Sequence, residues 1–378
     1  MSPHDMITPE ITIVFGGDTS LGDAYLSKLK SGEHLQRLKF RPLSFFDALE
    51  PLITDKYRLI VNLETVLSDG PKPPINEKKQ YCGWDTAERT INALKSIGVD
   101  AVSLANNHTM DFGSANLTPM ISLLKTADVH VLGAGENITE ASEPWKIRSP
   151  HGSIYVIAAF ELRRQYKDLY SFYAGNRKPG VNYFKLRRRN RLSAAISLIR
   201  RTDPNALIIV FPHWGGAVNY GPPTERMLDA NEGFFEAGAD LVLGHGSHNV
   251  QPCFASPIGT TVFSIGNFVF NSPGRYRMYN ASPYSLIGRL SLGRSHGGWT
   301  GRLKLYPIVS DNQKTGYQPR PVQEKEALEV FQFLSVGEKH DSDRGFELQR
   351  DERGWYIVRT TPLSRQFAHH SDSTDRLL

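Results

Sequence analysis

The sequence predicts an α/β fold, and three observations carry that expectation. Short apolar, β-branched runs recur along the chain, and each breaks off at glycine or at polar residues. Segments with helical spacing lie between them and stop at glycine. The polar clusters fall at the carboxyl ends of the runs, where ligands of open α/β sheets gather. Runs that are apolar throughout, rather than alternating, point to a largely parallel sheet buried on both faces.

The elements follow in order. Ile11–Phe15 leads into Gly16-Gly17-Asp18, Tyr57–Val61 into Asn62-Leu63-Glu64, and Ala101–Ala105 into Asn106-Asn107-His108. Val129–Leu132 precedes GAGEN and Ile154–Phe160 precedes Glu161. Leu207–Phe211 runs into Pro212-His213-Trp214, Leu241–Leu243 into GHGSH, and Thr261–Ile265 into Gly266-Asn267-Phe268. The stretches TAERTINALKSIGVD and TERMLDANEGFFEAGAD repeat apolar residues at helical spacing and end at a glycine.

Composition limits the function classes. The chain has 378 residues, 40% hydrophobic and 22% charged, which fits a globular protein with a sizeable core. A formal net charge of +5 favours anionic ligands in general without specifying nucleic acid. Cys82 and Cys253 are far apart and give no thiolate metal motif; a reduced pair is the economical reading, with a single disulfide left open. The start shows no basic region followed by an apolar one, and no run is long enough to span a bilayer. The expectation is a cytoplasmic protein with no membrane anchor of its own.

Taken singly, each strand-end cluster has a structural explanation. Asp18 could cap a turn, His108 could sit satisfied at a core edge, and the asparagines could bond turn backbone. Acids, carboxamides and imidazoles at five strand ends point instead to one shared site. Carboxylates mixed with imidazoles suit Mn, Fe or Zn. With a bridging acid, they form the usual ligand set of a two-metal hydrolytic centre. An Asn carbonyl can then ligate while His108 faces the substrate, with Asp111 orienting His108 through its other ring nitrogen.

The blocks GGDTSLGD, VNLETVLSDG, SLANNHTMDFG, HWGG, GADLVLGHGSHNVQP and FSIGNFVF resemble, in order, those of the capsule-biosynthesis CapA family. These are poly-γ-glutamate synthesis proteins of the calcineurin-like metallophosphoesterase superfamily. The resemblance covers about residues 11 to 310. It implies a four-layer α-β-β-α sandwich with a dinuclear divalent-metal site at one edge. Asp18 matches the first metal-binding aspartate, and Glu64 takes the place of the bridging acid. Asn107, His213, His245 and His248 match further ligands, and His108 matches the catalytic histidine that protonates a leaving group, with Asp111 beside it. Asn62, Asn106, Trp214 and Asn267 are read as substrate-binding neighbours.

Three departures stand out: Asp18-Thr19-Ser20 lacks an imidazole, His245 and His248 are three apart, and the acid after His108 is delayed to Asp111. Two function classes follow. One is a metal-dependent hydrolase using metal-activated water on an anionic small molecule or polymer, a phosphoester or an amide of a γ-glutamyl chain. The other is a non-catalytic accessory protein that holds an anionic polymer during its synthesis.

Lys185 to Arg201 is basic; it reads as a solvated helix face with Leu186, Leu192, Ala195 and Leu198 inward, rather than as a polyanion dock. Glu161 to Phe184, rich in Tyr and Arg, is either a substrate-facing loop or plain connection. Residues 1–310 are taken as one domain, and 311–365 as an extension of a helix and a hairpin turning at Asp351 to Gly354. A polar tail, disordered from sequence composition, covers 366–378 and begins near Ser364.

Overall fold

The computed structural model describes residues 10–215, 218–256, 259–295, 298–335, 346–359 and 363–366. The chain first lays down β1 (Ile11–Ser20), β2 (Arg58–Leu63), β3 (Ala101–Ser103) and β4 (His130–Leu132) as parallel neighbours. A second sheet follows from the parallel neighbours β5 (Gly152–Glu161), β6 (Leu207–His213), β7 (Leu241–Leu243) and β8 (Gly259–Val262), with Trp145–Ser149 and Cys253–Ser256 added antiparallel to β5 and β8. The chain then returns to the first sheet. There β9 (Asn267–Phe270) lies parallel to β1, and β10 (Tyr284–Ser295) pairs antiparallel with it. β11 (Gly298–Val309) pairs with β10, and the hairpin β12 (Phe346–Asp351) and β13 (Gly354–Arg359) continues the sheet beyond β11.

The protein is therefore mixed α/β with two large sheets, and one of these is half antiparallel. The expectation of a largely parallel sheet misses β10 and β11. Residues on one of their faces, Leu290, Leu292, Leu303 and Leu305, are buried in the main core and alternate with the polar Arg289, Ser291, Arg302 and Lys304. That period-two pattern marks an antiparallel pair joined by a short turn. A further strand, Leu363–Gln366, pairs with Gly298 to Gly301, so Ser364 to Gln366 are ordered where the composition suggests a disordered tail. The open edge of β11 supplies the backbone partners that composition cannot report. Residues 367–378 of that tail lie outside the described residues.

Helices form the crossovers. α1 (Ala87–Ser96) joins β2 to β3, α2 (Ser114–Thr126) joins β3 to β4, α3 (Arg191–Thr202) joins β5 to β6, and α4 (Glu225–Glu236) joins β6 to β7. α4 starts where the Thr224 side chain accepts from the Met227 amide, and it buries Met227, Ala230 and Phe234 on one face. α5 (Glu324–Ser335) lies between β11 and β12 in the chain.

Alternation in the second sheet separates two apolar layers. Ile154, Val156, Leu207, Ile209 and Phe211 join the large core shared with the first sheet, where Phe15 meets Phe211 at 5.8 Å between ring centroids. Ile157, Ile208, Val210 and Val242 face the other way, onto Leu192 and Ile196 of α3 and Phe234 of α4. In α3, Leu192 is buried but Leu198 is 55% exposed, so the inward stripe runs through Leu192, Ile196 and Ile199 rather than through Leu198. Of the basic residues beside it, Arg188 pairs with Glu232 and Glu236, and Arg200 with Asp240. Among the described residues, no helix is long and apolar enough to cross a membrane.

Candidate metal centre

The strand ends of both sheets converge on Asp18. In β1 the pairing with β2 shifts register between Phe15 and Asp18, at Gly16-Gly17. A side chain at Gly17 would collide with the carbonyl oxygen of Gly266, so only glycine lets β1 close on the strand-end turn before β9. The shift sets Asp18 in register with Asn62 on one side and Asn267 on the other. From the second sheet, His213 and His245 extend the β6–β7 pairing by one bridge, which brings their rings together. Gly246 at φ 99° lies against the His213 ring, where a side chain would approach it to 2.9 Å.

Two groups of potential ligands result, and both contain Asp18. One is Asp18, His213 and His245; the other is Asp18, Glu64 and His248. His245 Nδ1 lies 3.1 Å from Asp18 Oδ1 and 3.0 Å from His213 Nδ1. His248 Nδ1 is 3.2 Å from Asp18 Oδ2. Asn107 crosses from the first sheet to place its Oδ1 2.6 Å from His213 Nε2. Asp18 is thus the carboxylate common to both groups, whereas the resemblance gave the bridging role to Glu64. The reason is position: Asp18 lies near the end of the strand between β2 and β9, and Glu64 follows β2 on one side only.

The donor set fits divalent cations. Among the described residues, Glu64 Oε1 and His245 Nε2 are buried without a hydrogen-bond partner, an arrangement that costs free energy unless something else binds them. The electrostatics agree. Burial alone would raise the Asp18 carboxyl, but hydrogen bonds from His245 and His248 hold it well below the usual range. Burial and the charge of Asp18 push Glu64 well above its usual range. Burial drives the His213 imidazole well down despite Asp18. Two buried acidic groups packed beside a His213 imidazole that resists protonation are short of positive charge.

The second row of residues fixes the first. Asn62 donates to Asp18 Oδ1 at 2.9 Å and accepts from Asn106 at 3.1 Å. Asn106 also donates to the Leu63 carbonyl, and its oxygen accepts from the His108 and Thr109 amides and the Thr109 hydroxyl. Asn267 accepts from His248 and donates to Tyr276, whose hydroxyl donates to the His248 carbonyl. Asn62, Asn106 and Asn267 are all buried with their carboxamides engaged. They brace the candidate ligands, where the sequence reading expected substrate contacts.

Trp214 is a plainer correction. It is fully buried on the far side of β6, stacked on Phe263 and Phe234, with its indole N–H on the Phe263 carbonyl. Residue alternation along β6 sends His213 to the site and Trp214 to the outer core.

His108 stands at the cleft. Its Nδ1 is 2.8 Å from Asp111 Oδ2, and its Nε2 is 3.8 Å from Glu64 Oε1. Asp111 is held in turn by Lys79 Nζ at 2.6 Å and by the Gly83 amide. Burial would raise the Asp111 carboxyl, but the charges of Lys79 and His108 keep it below its ordinary range. Burial lowers the His108 imidazole in spite of Asp111. Sequence reasoning overlooked Lys79, because one lysine in the polar stretch NEKKQYC carries no periodic or motif signal.

Above these residues opens a cleft of about 1010 Å³, lined by Asn107, His108 and His248 at the floor. Its walls include Lys28, Tyr81, Arg163, Tyr166, Tyr220 and Arg275. The Tyr- and Arg-rich stretch after β5 therefore does face the cleft, through Arg163, Arg164, Gln165 and Tyr166.

The family described as "Bacterial capsule synthesis protein PGA_cap" matches residues 12–272. The chain is 28% identical over 216 residues to the "Capsule biosynthesis protein CapA" of Bacillus anthracis, covering 52% of this chain and 48% of that one. It is 23% identical over 269 residues to the "PGA biosynthesis protein CapA" of Bacillus subtilis, 67% of this chain and 64% of the other. A Mycobacterium tuberculosis protein named "Probable polyglutamine synthesis accessory protein" is 26% identical over 197 residues, covering 51% and 50%. The matches thus span about half to two thirds of the length of these relatives.

Proposed function

Because the chain belongs to the bacterial capsule synthesis protein PGA_cap family, that of the CapA proteins, we propose that it acts in poly-γ-glutamate or capsule-type polymer synthesis as a metal-dependent hydrolase. The substrate is anionic, a phosphoester or an amide of a γ-glutamyl chain. The observation that carries this reading is the pair of ligand groups sharing Asp18 among the described residues, with Glu64 Oε1 and His245 Nε2 buried and unpartnered by any of these beneath the cleft. The facing sheets, with α3 and α4 outside the second, support the four-layer metallophosphoesterase arrangement.

Asp18, Glu64, His213, His245 and His248, with the Asn107 carbonyl, would hold two ions of Mn, Fe or Zn. When bound, such ions supply Lewis acidity toward a phosphoryl or carbonyl oxygen and make water nucleophilic near neutral pH. The chain's own residues do the rest. Asn62 and Asn267 fix Asp18 and His248, so the ligand geometry is set before substrate arrives. Lys79 keeps Asp111 ionised, and Asp111 holds the His108 ring through Nδ1. That leaves Nε2 toward the cleft, where an anionic substrate favours its protonation and a leaving group can take the proton. Lys28, Arg163, Arg164 and Arg275 line the cleft that receives the anion.

The test is elemental analysis of the purified protein together with hydrolysis of aryl phosphate monoester and diester with added Mn. About two ions per chain are expected, with turnover falling roughly 10²–10⁴-fold in His108→Ala. Metal-free, inactive protein would sink the hydrolase reading. A second reading, an accessory protein that binds the polymer without cleaving it, is favoured by the name of the mycobacterial relative. Ser20 supports it too: it stands where the superfamily's first block has an imidazole, and its hydroxyl donates to Asp85.

A further inference from the structure

The cations of the cleft wall differ in how their charge is met. Lys79 pairs with Asp111, Arg163 with Glu161 at 2.6 Å, and Arg164 with Asp168 at 3.3 Å. Arg275 has no carboxylate partner among the described residues. It is surrounded by phenol rings instead, with its guanidinium carbon 5.1 Å from the Tyr81 ring centroid, 5.3 Å from Tyr279 and 5.9 Å from Tyr220. Tyrosine faces attract a guanidinium plane but leave its charge uncancelled, and they restrict its orientation.

The loop that carries Arg275 is fixed as well. The Arg275 amide donates to Tyr220 Oη at 3.1 Å, and Tyr220 and Tyr279 are stacked at 5.4 Å. Asn312 donates to the Phe270 and Ser272 carbonyls, both at 2.6 Å, and Asn271 donates to the Leu21 carbonyl. Tyr220 also packs against the His248 ring, at 5.5 Å between centroids. The uncancelled guanidinium thus stands one aromatic ring away from a ligand of the candidate metal centre, in the same cleft.

We propose that Arg275, held by Tyr81, Tyr220 and Tyr279, is a specificity-determining anion clamp that grips a second negatively charged group of the substrate, next to the one at the metal centre. The clamp rests on the cleft being the substrate site, as proposed above. The group it takes is a carboxylate or a phosphate, since both accept two parallel N–H bonds from a guanidinium edge. A substrate with a single anionic group satisfies only the floor of the cleft. One with anions at neighbouring positions along a chain satisfies floor and clamp together. Charge and planarity both matter, so lysine is a poor substitute: it keeps the charge but loses the paired donors and the flat surface that the tyrosines hold.

The experiment is equilibrium binding of a γ-linked glutamate oligomer and of inorganic tripolyphosphate to the full chain, with inorganic phosphate as the single-anion control. Wild type, Arg275→Gln and Arg275→Lys are compared, with thermal unfolding confirming that each variant folds. The expected result is at least about tenfold weaker binding of a multiply charged probe in Arg275→Gln, with little recovery in Arg275→Lys and no change for inorganic phosphate. Whichever probe loses more identifies carboxylate or phosphate as the gripped group. Equal affinities of wild type and Arg275→Gln for both probes would overturn the clamp, as would full recovery in Arg275→Lys. Metal content of the same samples separates this inference from the hydrolase reading. Metal-free protein that still binds through Arg275 would remove the hydrolase and keep the clamp; metal-loaded protein indifferent to Arg275→Gln would do the reverse.

Discussion

His213 and Trp214 are consecutive, both fully buried, and belong to opposite worlds. On the inner face of the second sheet, His213 meets His245, Asn107 and the Asp18 carboxylate, among atoms left without partners. On the outer face, Trp214 lies in an apolar layer, stacked on Phe263 at 5.4 Å, and its one polar atom is satisfied by a carbonyl. The outer face is built for stability alone. The inner face, at the strand ends, gives up favourable electrostatics and gathers a donor set that could hold a cation. Burial by itself therefore says nothing about role; the state of the buried polar atoms does.

The largest expected effect tests the outer face. Trp214→Ala removes a fully buried indole and should cost roughly 3–5 kcal/mol in chemical denaturation, while protein that remains folded keeps the metal content of wild type. Loss of metal without loss of stability would break the contrast between the faces. On the inner face, Lys79→Met strands the buried Asp111 charge and should cost about 3 kcal/mol. The double variant Lys79→Met with Asp111→Asn should recover much of that loss, because no charge is left unpaired.

A smaller effect sharpens the comparison. Added Mn at about a hundredfold over its dissociation constant should stabilise wild type by roughly 2.7 kcal/mol, read as a shift in the denaturation midpoint. Asp18→Ala, which takes the member common to both ligand groups, should abolish that shift, read against the same variant without metal. Persistence of the shift would mean that the ions bind elsewhere. The smallest effect belongs to the surface. Leu198→Ala on α3 should change stability by less than about 0.5 kcal/mol, since its side chain packs in neither layer.

The family matched over residues 12–272 and the cluster at the strand ends were both legible in the chain. Asp18, Glu64, Asn107, His108, Asp111, His213, His245 and His248 fall where apolar runs stop, and the structure gathers all of them at one place. What misled was adjacency. Trp214, Asn62, Asn106 and Asn267 lie beside candidate ligands in sequence, and proximity along a strand does not say which face a side chain takes or whether its hydrogen-bonding capacity is already spent. Lys79, Tyr276 and Arg275 sit in irregular loops, where no periodicity marks a functional position.

By itself the sequence determined the α/β class, the parallel cores of both sheets and the identity of the ligand candidates. These follow from local patterns: apolar runs, helix stops and polar residues at strand ends. Only the tertiary structure decided which strands share a sheet, with β10 to β13 completing the first. It alone decided that Asp18 rather than Glu64 is shared by the two ligand groups, and that His213 and Trp214 part company. Those outcomes depend on register, on a bulge at Gly16-Gly17 and on contacts between residues more than two hundred positions apart, such as Asp18 with His245. A pattern read over a dozen residues reports which face of an element wants burial. Which distant strand arrives to cover it is settled by packing across the whole chain.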